Sequence, residues 1–149
     1  MVQRMSLNDI DPRAYQAVLG MEKYVRSSGL DKLLYELVKI RASQLNGCAY
    51  CLDMHHRDAR KAGEDQRRLD VLSAWREAPD LYTAKERAAL ALTEEVTLIH
   101  RDGVTDDVWQ AARDEFDEAG LAALLMAIAT INVWNRLAVS THQELPDLA

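Results

Sequence analysis

A chain of 149 residues is long enough to bury roughly 68–70% of its unfolded surface, so it needs neither a metal nor a disulfide to hold it folded. Hydrophobic residues make up 48% and charged residues 28%, with 6 Gly and 3 Pro, which excludes fibrous and disordered classes. The net charge of −6 argues against nucleic acid as a partner, because phosphate contact requires a clustered positive surface.

In chain order, Met1–Tyr15 carries no apolar core of the secretory kind. Together with two cysteines at short spacing, this predicts a reducing, cytoplasmic setting in which such a pair is catalytic or metal-binding more often than a fixed cross-link. Apolar spacings of three and four recur and strand-like alternation is absent, which predicts an all-α fold. Six or seven helices are expected, at about 13–28, 31–46, 48–62, 65–76, 83–100, 105–116 and 119–140. Gly29, Gly47, Gly63 and Gly103 stand where helix C-termini should fall. Thr83–Glu86 has the form of a capping box, and Pro79 separates the fourth and fifth helices. No linker or repeat interrupts the pattern, so the expectation is a single domain over 1–149 with its core at about 13–140. The apolar run Leu121–Trp134 is shorter than the ~20 residues of a membrane span and ends among Asn132, Asn135 and Arg136. It reads as a core helix, with no membrane involved.

The second predicted helix is the informative one. At 100° per residue its apolar side chains, from Leu33 to Leu45, cover an arc of about 160°. Arg41 and Gln44 fall inside that arc, and Glu36 lies at its edge. A charge carried into an apolar face needs a partner; for Arg41 the expected one is Glu94 or Glu95.

That helix leads into Gly47-Cys-Ala-Tyr-Cys-Leu-Asp-Met-His-His56, which holds both cysteines and two of the four histidines of the chain. A helix starting near Cys48 sets Cys48, Cys51 and His55 on one stripe, at offsets of three and four. Thiols in a first helical turn are acidified by free N–H groups and the helix dipole. Acidity alone gains only severalfold in reactivity, because nucleophilicity falls with basicity. Peroxide reduction also needs a proton donor for the leaving oxygen, a role open to His55. If the two helices form a hairpin across Gly47, Glu36 stands about 15 Å above the turn, His55 about 10 Å and Cys51 about 5 Å, a ladder of carboxylate, imidazole and thiol.

The competing readings are weaker. Two cysteines could be small packing residues, but the pairing of spacing and histidines would then be coincidence. A zinc site requires four ligands, and the chain offers only Cys48, Cys51 and His55 or His56, so no metal or other cofactor is expected. Covalent haem requires a histidine directly after the second cysteine, where Leu52 stands. His56 lies off the stripe and reads as a surface residue.

The segments Glu36–Gly63, Leu72–Pro79, Glu86–Ile99 and Ile131–Ala138 resemble the AhpD-like branch of the carboxymuconolactone decarboxylase family, over about residues 13–140. The most specific element is Glu36 twelve residues before Cys48, with His55 four after Cys51. The resemblance implies the AhpD-like helical fold and a thiol-dependent alkylhydroperoxidase without cofactor. It assigns attack on the peroxide to Cys51, resolution to a disulfide to Cys48, and proton movement to Glu36 and His55. The partners implied are a hydroperoxide substrate and a thiol or dithiol reductant. Where well-known members have a histidine between the cysteines, this chain has Tyr50. The alternatives are a non-catalytic redox sensor and a lactone decarboxylase, whose chemistry needs no cysteine pair.

Trp75, Trp109, Trp134 and the apolar last helix offer more apolar surface than one small helical domain readily buries, which predicts a homo-oligomer. The resemblance implies a trimer, or a hexamer built as a trimer of dimers. Light scattering at micromolar concentration should give a mass well above the 16.8 kDa of one chain; a monomer would contradict this expectation.

Overall fold

The computed structural model describes residues 2–146, and among them there are helices and turns but no strand. The elements are α1 (Leu7–Ile10), α2 (Pro12–Ser27), α3 (Lys32–Asn46), α4 (Ala49–Lys61), α5 (Gln66–Asp70), α6 (Ala84–Thr97), α7 (Asp106–Glu115) and α8 (Glu118–Thr141). Two 3₁₀ segments, Leu72–Glu77 and Pro79–Leu81, lie between α5 and α6.

The sequence expectations hold closely for the long helices. Gly29, Gly47, Gly63 and Gly103 all adopt positive φ. The capping box forms, with Thr83 Oγ accepting the Glu86 N–H and the Glu86 carboxylate accepting the Thr83 N–H. Two local differences stand out. The helix expected at 65–76 breaks after Asp70, where Val71 (φ −100, ψ 5) leaves helical geometry, and the 3₁₀ segment that follows is kinked at Ala74 (φ −118, ψ 30) and has no side-chain cap. The short α1, capped by Ser6, was not expected.

α3 is the centre of the fold. It packs against α4, α8, α6 and the Leu72–Glu77 segment, so residues on nearly every side of it are buried. Leu34 and Val38 meet Ala89 and Leu92 of α6 and Leu124 and Ile128 of α8, whereas Leu37 and Ile40 meet Leu69, Leu72 and Leu90. α8, at 24 residues, is long and apolar enough to cross a membrane on those measures alone. Here its Leu121, Leu124, Ile128 and Ile131 face form a wall of the core.

Polar groups buried by this arrangement are paired across helices. Arg41 Nε donates to Glu94 Oε1 at 2.8 Å, the partner expected from sequence. Trp75 is buried and its Nε1 donates to the same carboxylate, which removes it from the apolar surface available to a second chain. Trp134 is partly covered by Tyr15, with ring centroids 5.3 Å apart, and Trp109 remains exposed. On the opposite flank Glu22 of α2 holds Lys39 of α3 at 2.5 Å and accepts the Tyr35 hydroxyl and Arg26.

Burial by itself would raise the Glu22 pKa. The Lys39 charge and the hydrogen bonds from Lys39, Tyr35 and Arg26 outweigh it and hold Glu22 at about 2, below its ordinary 4.5. A carboxylate so depressed contributes stability in full above about pH 4.5, and that contribution, about 3 kcal/mol, disappears as the pH falls to about 2. Thermal melts should show this loss across pH 4.5–2. Glu22→Gln should melt lower at pH 7 and lose part of the acid dependence; an unaltered profile would show that the pair contributes nothing to acid stability.

Candidate active site

The turn between α3 and α4 places the cysteines. Gly47 ends α3 in the left-handed region (φ 65), and the Cys48 N–H returns to the Ser43 carbonyl at 3.0 Å. This conformation, easy for glycine and strained for other residues, reverses the chain within two residues. Cys48 then occupies the N-cap of α4, where its sulfur accepts the Cys51 backbone N–H at 3.4 Å. Both thiols are free and buried, in an apolar cluster with Ala42, Ile131 and Ala138.

One α4 turn beyond Cys51, His55 is also buried, and its Nδ1 lies 2.8 Å from Glu36 Oε2. The two residues expected to stand on successive rungs therefore meet directly, without water between them. With its Nδ1–H donated to the carboxylate, the imidazole presents Nε2 as its free acceptor. A cavity of about 160 Å³ is lined by Cys51 and His55, with Glu22, Lys39, Arg26 and Asp58 among its polar walls and Tyr15, Leu19, Met54 and Trp134 among its apolar ones. Cys48 opens instead onto a separate groove bordered by Val139 and His142–Leu145. Tyr50 stands between, lining both, and burial followed by the nearby Tyr15 and Cys51 raises its pKa, so its hydroxyl stays protonated at neutral pH.

From the sequence both thiols are acidified and Cys51, with His55 one turn away, is the faster one to alkylate; the structure instead makes Cys48 the more acidic of the two. The hydrogen bond from the Cys51 thiol comes first. With the Cys51 backbone N–H, the Asn135 amide and the Tyr50 N–H, it outweighs burial and holds Cys48 at about 7, below its ordinary 9.0. The same thiol contact, burial and the Cys48 charge push Cys51 well above the ordinary thiol range. The pair therefore comes to share one proton as the pH rises through about 7, with the negative charge resting on Cys48.

Two groups beside the sulfurs were not identified from sequence. Asn135 of α8 is buried, and its amide favours ionisation of both thiols. Its orientation is set because Asn46 Nδ2 donates to Asn135 Oδ1 at 2.8 Å, while Asn135 Nδ2 donates to Ser43 Oγ at 3.0 Å. In the sequence it reads only as a polar residue ending an apolar run. Lys39 is the second, and it has no periodicity signal because α3 is buried all round. His56 is half-buried and off the cavity.

The sulfurs do not join a metal-binding group: among the described residues the one cluster of three such ligands is Glu36, His55 and Asp58, with ligand atoms within 4.8 Å of one another. These three could receive a divalent cation only by competing with the existing Glu36–His55 contact.

Comparisons with known proteins bear on the family and the overall fold. The sequence profile of the carboxymuconolactone decarboxylase family matches residues 12–95. The uncharacterized protein YdfG of Bacillus subtilis is 43% identical over 140 residues, covering 94% of this chain and 95% of its own. The alkyl hydroperoxide reductase AhpD of Streptomyces coelicolor is 38% identical over 63 residues, which span 42% of this chain and only 35% of that protein. The crystal structure of ATU0492 from Agrobacterium tumefaciens, a protein of unknown function suggested to be an antioxidant defence protein AhpD, superposes with a TM-score of 0.95 at 38% identity, over 99% of this chain and 100% of that one.

The shared-proton arrangement has a direct readout. Iodoacetamide alkylation should rise with pH through a midpoint near 7 and fall away below it, since the reactive thiolate is lost as pH drops. Asn135→Ala should move that midpoint to about 8, the size of one lost hydrogen bond to a charge. A wild-type midpoint at 9 would refute the thiol–thiol contact as the acidifying element.

Proposed function

Because the chain belongs to the AhpD-like branch of the carboxymuconolactone decarboxylase family, we propose that it is a thiol-dependent peroxidase, with Cys51 and Cys48 as its dithiol and His55 and Glu36 as its proton relay. The observation that carries this reading is the buried His55–Glu36 contact in the cavity that Cys51 also lines. A cavity of about 160 Å³ is comparable to the ~150 Å³ that accepts benzene, which favours compact organic hydroperoxides over long-chain lipid peroxides.

The reaction runs as follows. The shared proton moves from Cys51 to Cys48, and the Cys51 thiolate attacks the distal peroxide oxygen. The O–O bond breaks, and the alkoxide leaves as alcohol on taking the Cys48 proton through His55, whose charged form Glu36 stabilises. Cys48, again a thiolate, displaces the oxygen of the Cys51 sulfenic acid as hydroxide, which takes a proton from solvent and leaves as water, forming the disulfide. An external dithiol, or two thiols, then reduces that disulfide, leaving the pair with its one shared proton and returning the other to solvent. The chain would work as a homo-oligomer, for which exposed Ile10, Trp109 and Val139 offer apolar surface.

A second assignment has a specific observation behind it: the negative charge rests on Cys48, which favours Cys48 as the attacking sulfur. Single-cysteine variants decide between them. Under the proposal, Cys48→Ser still reacts once with cumene hydroperoxide and stops at a sulfenic acid on Cys51, whereas Cys51→Ser is inert. The reverse pattern would reassign the roles. Stoichiometric oxidation of the wild type without turnover on added dithiol would favour a redox sensor.

The relay has its own test. Glu36→Gln and His55→Ala should each lower turnover by roughly 10²–10⁴, and the double variant should lose far less than the product of the two. Normal turnover in Glu36→Gln would remove the carboxylate from the relay.

A further inference from the structure

We propose that Lys39 is a positioning residue for the peroxide step: its ammonium, held in place by Glu22, stabilises negative charge on Cys51 and on the oxygen released beside it. This rests on the peroxidase reading above. Lys39 is 1% exposed, among the most deeply buried large side chains of the protein. Its Nζ lies 2.5 Å from Glu22 Oε1 and 3.8 Å from the centroid of the Tyr35 ring, and the side chain lines the cavity with Cys51 and His55. It stands one turn after Glu36 on the same helix, so α3 delivers a cation to the cavity and, behind His55, the relay carboxylate.

Stability alone does not require a lysine here. A buried ion pair is often matched or bettered by apolar residues of the same volume. The α2–α3–α8 junction already has Val25, Tyr35 and Ala127 packed into it. Nor is Glu22 used as a balanced clamp: one oxygen takes Tyr35, Lys39 and Arg26, while the other is buried with no partner.

The charges around Cys51 supply the reason. Glu22 from α2, Glu36 from α3 and Asp58 from α4 bring carboxylates to the site, and Cys48 carries the shared negative charge. A thiolate on Cys51, and then an alkoxide, adds further negative charge beside these groups. Two cationic side chains line the cavity, Lys39 and Arg26. The Arg26 side chain is 65% exposed and screened by solvent, which leaves Lys39 as the unscreened one. Its charge acts on Cys51 in the direction of the thiolate. Lys39 transfers no net proton in this scheme; His55 does that.

The test uses Glu22→Gln/Lys39→Met, which removes both charges together and avoids a stranded carboxylate, with Lys39→Arg as the conservative variant. In a Cys48→Ser background, iodoacetamide alkylation of Cys51 is followed against pH, and single-turnover oxidation by cumene hydroperoxide is timed. Because Lys39 and not Glu22 is among the groups acting on Cys51, the double variant should still shift the alkylation midpoint upward, by less than the full effect of losing an opposite charge alone, and slow oxidation severalfold or more. Lys39→Arg should recover most of both. An unchanged midpoint and rate in the double variant overturn the proposal. If that variant does not fold, Lys39→Gln alone serves, and an unmoved midpoint is again fatal. Should wild-type protein not react with peroxide at all, the peroxidase reading fails, and the alkylation midpoint still reports separately on the Lys39 charge.

Discussion

The structure depends on a helix that carries charges into the centre of the molecule. α3 is enclosed by its neighbours, yet Glu36, Lys39 and Arg41 lie along it within two turns. Each is matched by a different element: Glu36 by His55 of α4, Lys39 by Glu22 of α2, and Arg41 by Glu94 of α6. Ser43 adds a fourth tie, to Asn135 of α8. Removing one member of such a pair leaves a buried group unpaired, which costs far more than the pair contributes. The ties therefore specify how the helices are arranged around α3 more than they add stability.

The same requirement assembles the candidate site. The contact that satisfies Glu36 fixes the His55 ring, and the one that satisfies Lys39 keeps a cation in the cavity. Asn135, held by Asn46 and Ser43, turns its amide so that donors rather than the carbonyl oxygen are available near the sulfurs. The chemistry is thus supported by groups whose geometry is already constrained by burial, and loops contribute little to it beyond the Gly47 turn.

Most of the fold was legible in the sequence because helix boundaries here are marked chemically. Glycines take positive φ at four helix ends, and Thr83 with Glu86 closes a capping box. The Glu36–His55 pairing was legible from the rise per residue on either side of Gly47, although heights alone suggested a gap that the side chains in fact span. Lys39 was not legible, because a helix buried on all sides has no polar face against which a buried cation stands out. Asn135 was hidden for the opposite reason: near the end of an apolar run it looks like a boundary, and only packing against α3 gives its amide a purpose. The break after Asp70 falls at Val71, just before Leu72 and Trp75 are buried against Leu37, Ile40 and Leu90, so packing there overrides helical spacing.

Cys48 occupies the position that Ser, Thr, Asp or Asn ordinarily takes at a helix start, and its sulfur receives the Cys51 N–H. A thiolate serves that N–H and the positive end of the helix dipole well; a disulfide sulfur, neutral and a poor acceptor, does not. Closing a Cys48–Cys51 bond would therefore discharge the cap, and reopening it would restore one. The reduced protein keeps the better-capped α4, and stabilising the reduced form of a dithiol makes the couple more oxidising, by about 30 mV for each 1.4 kcal/mol. The helix start would act in this way as an electrochemical bias, drawing electrons into the pair from donors of only moderate reducing strength.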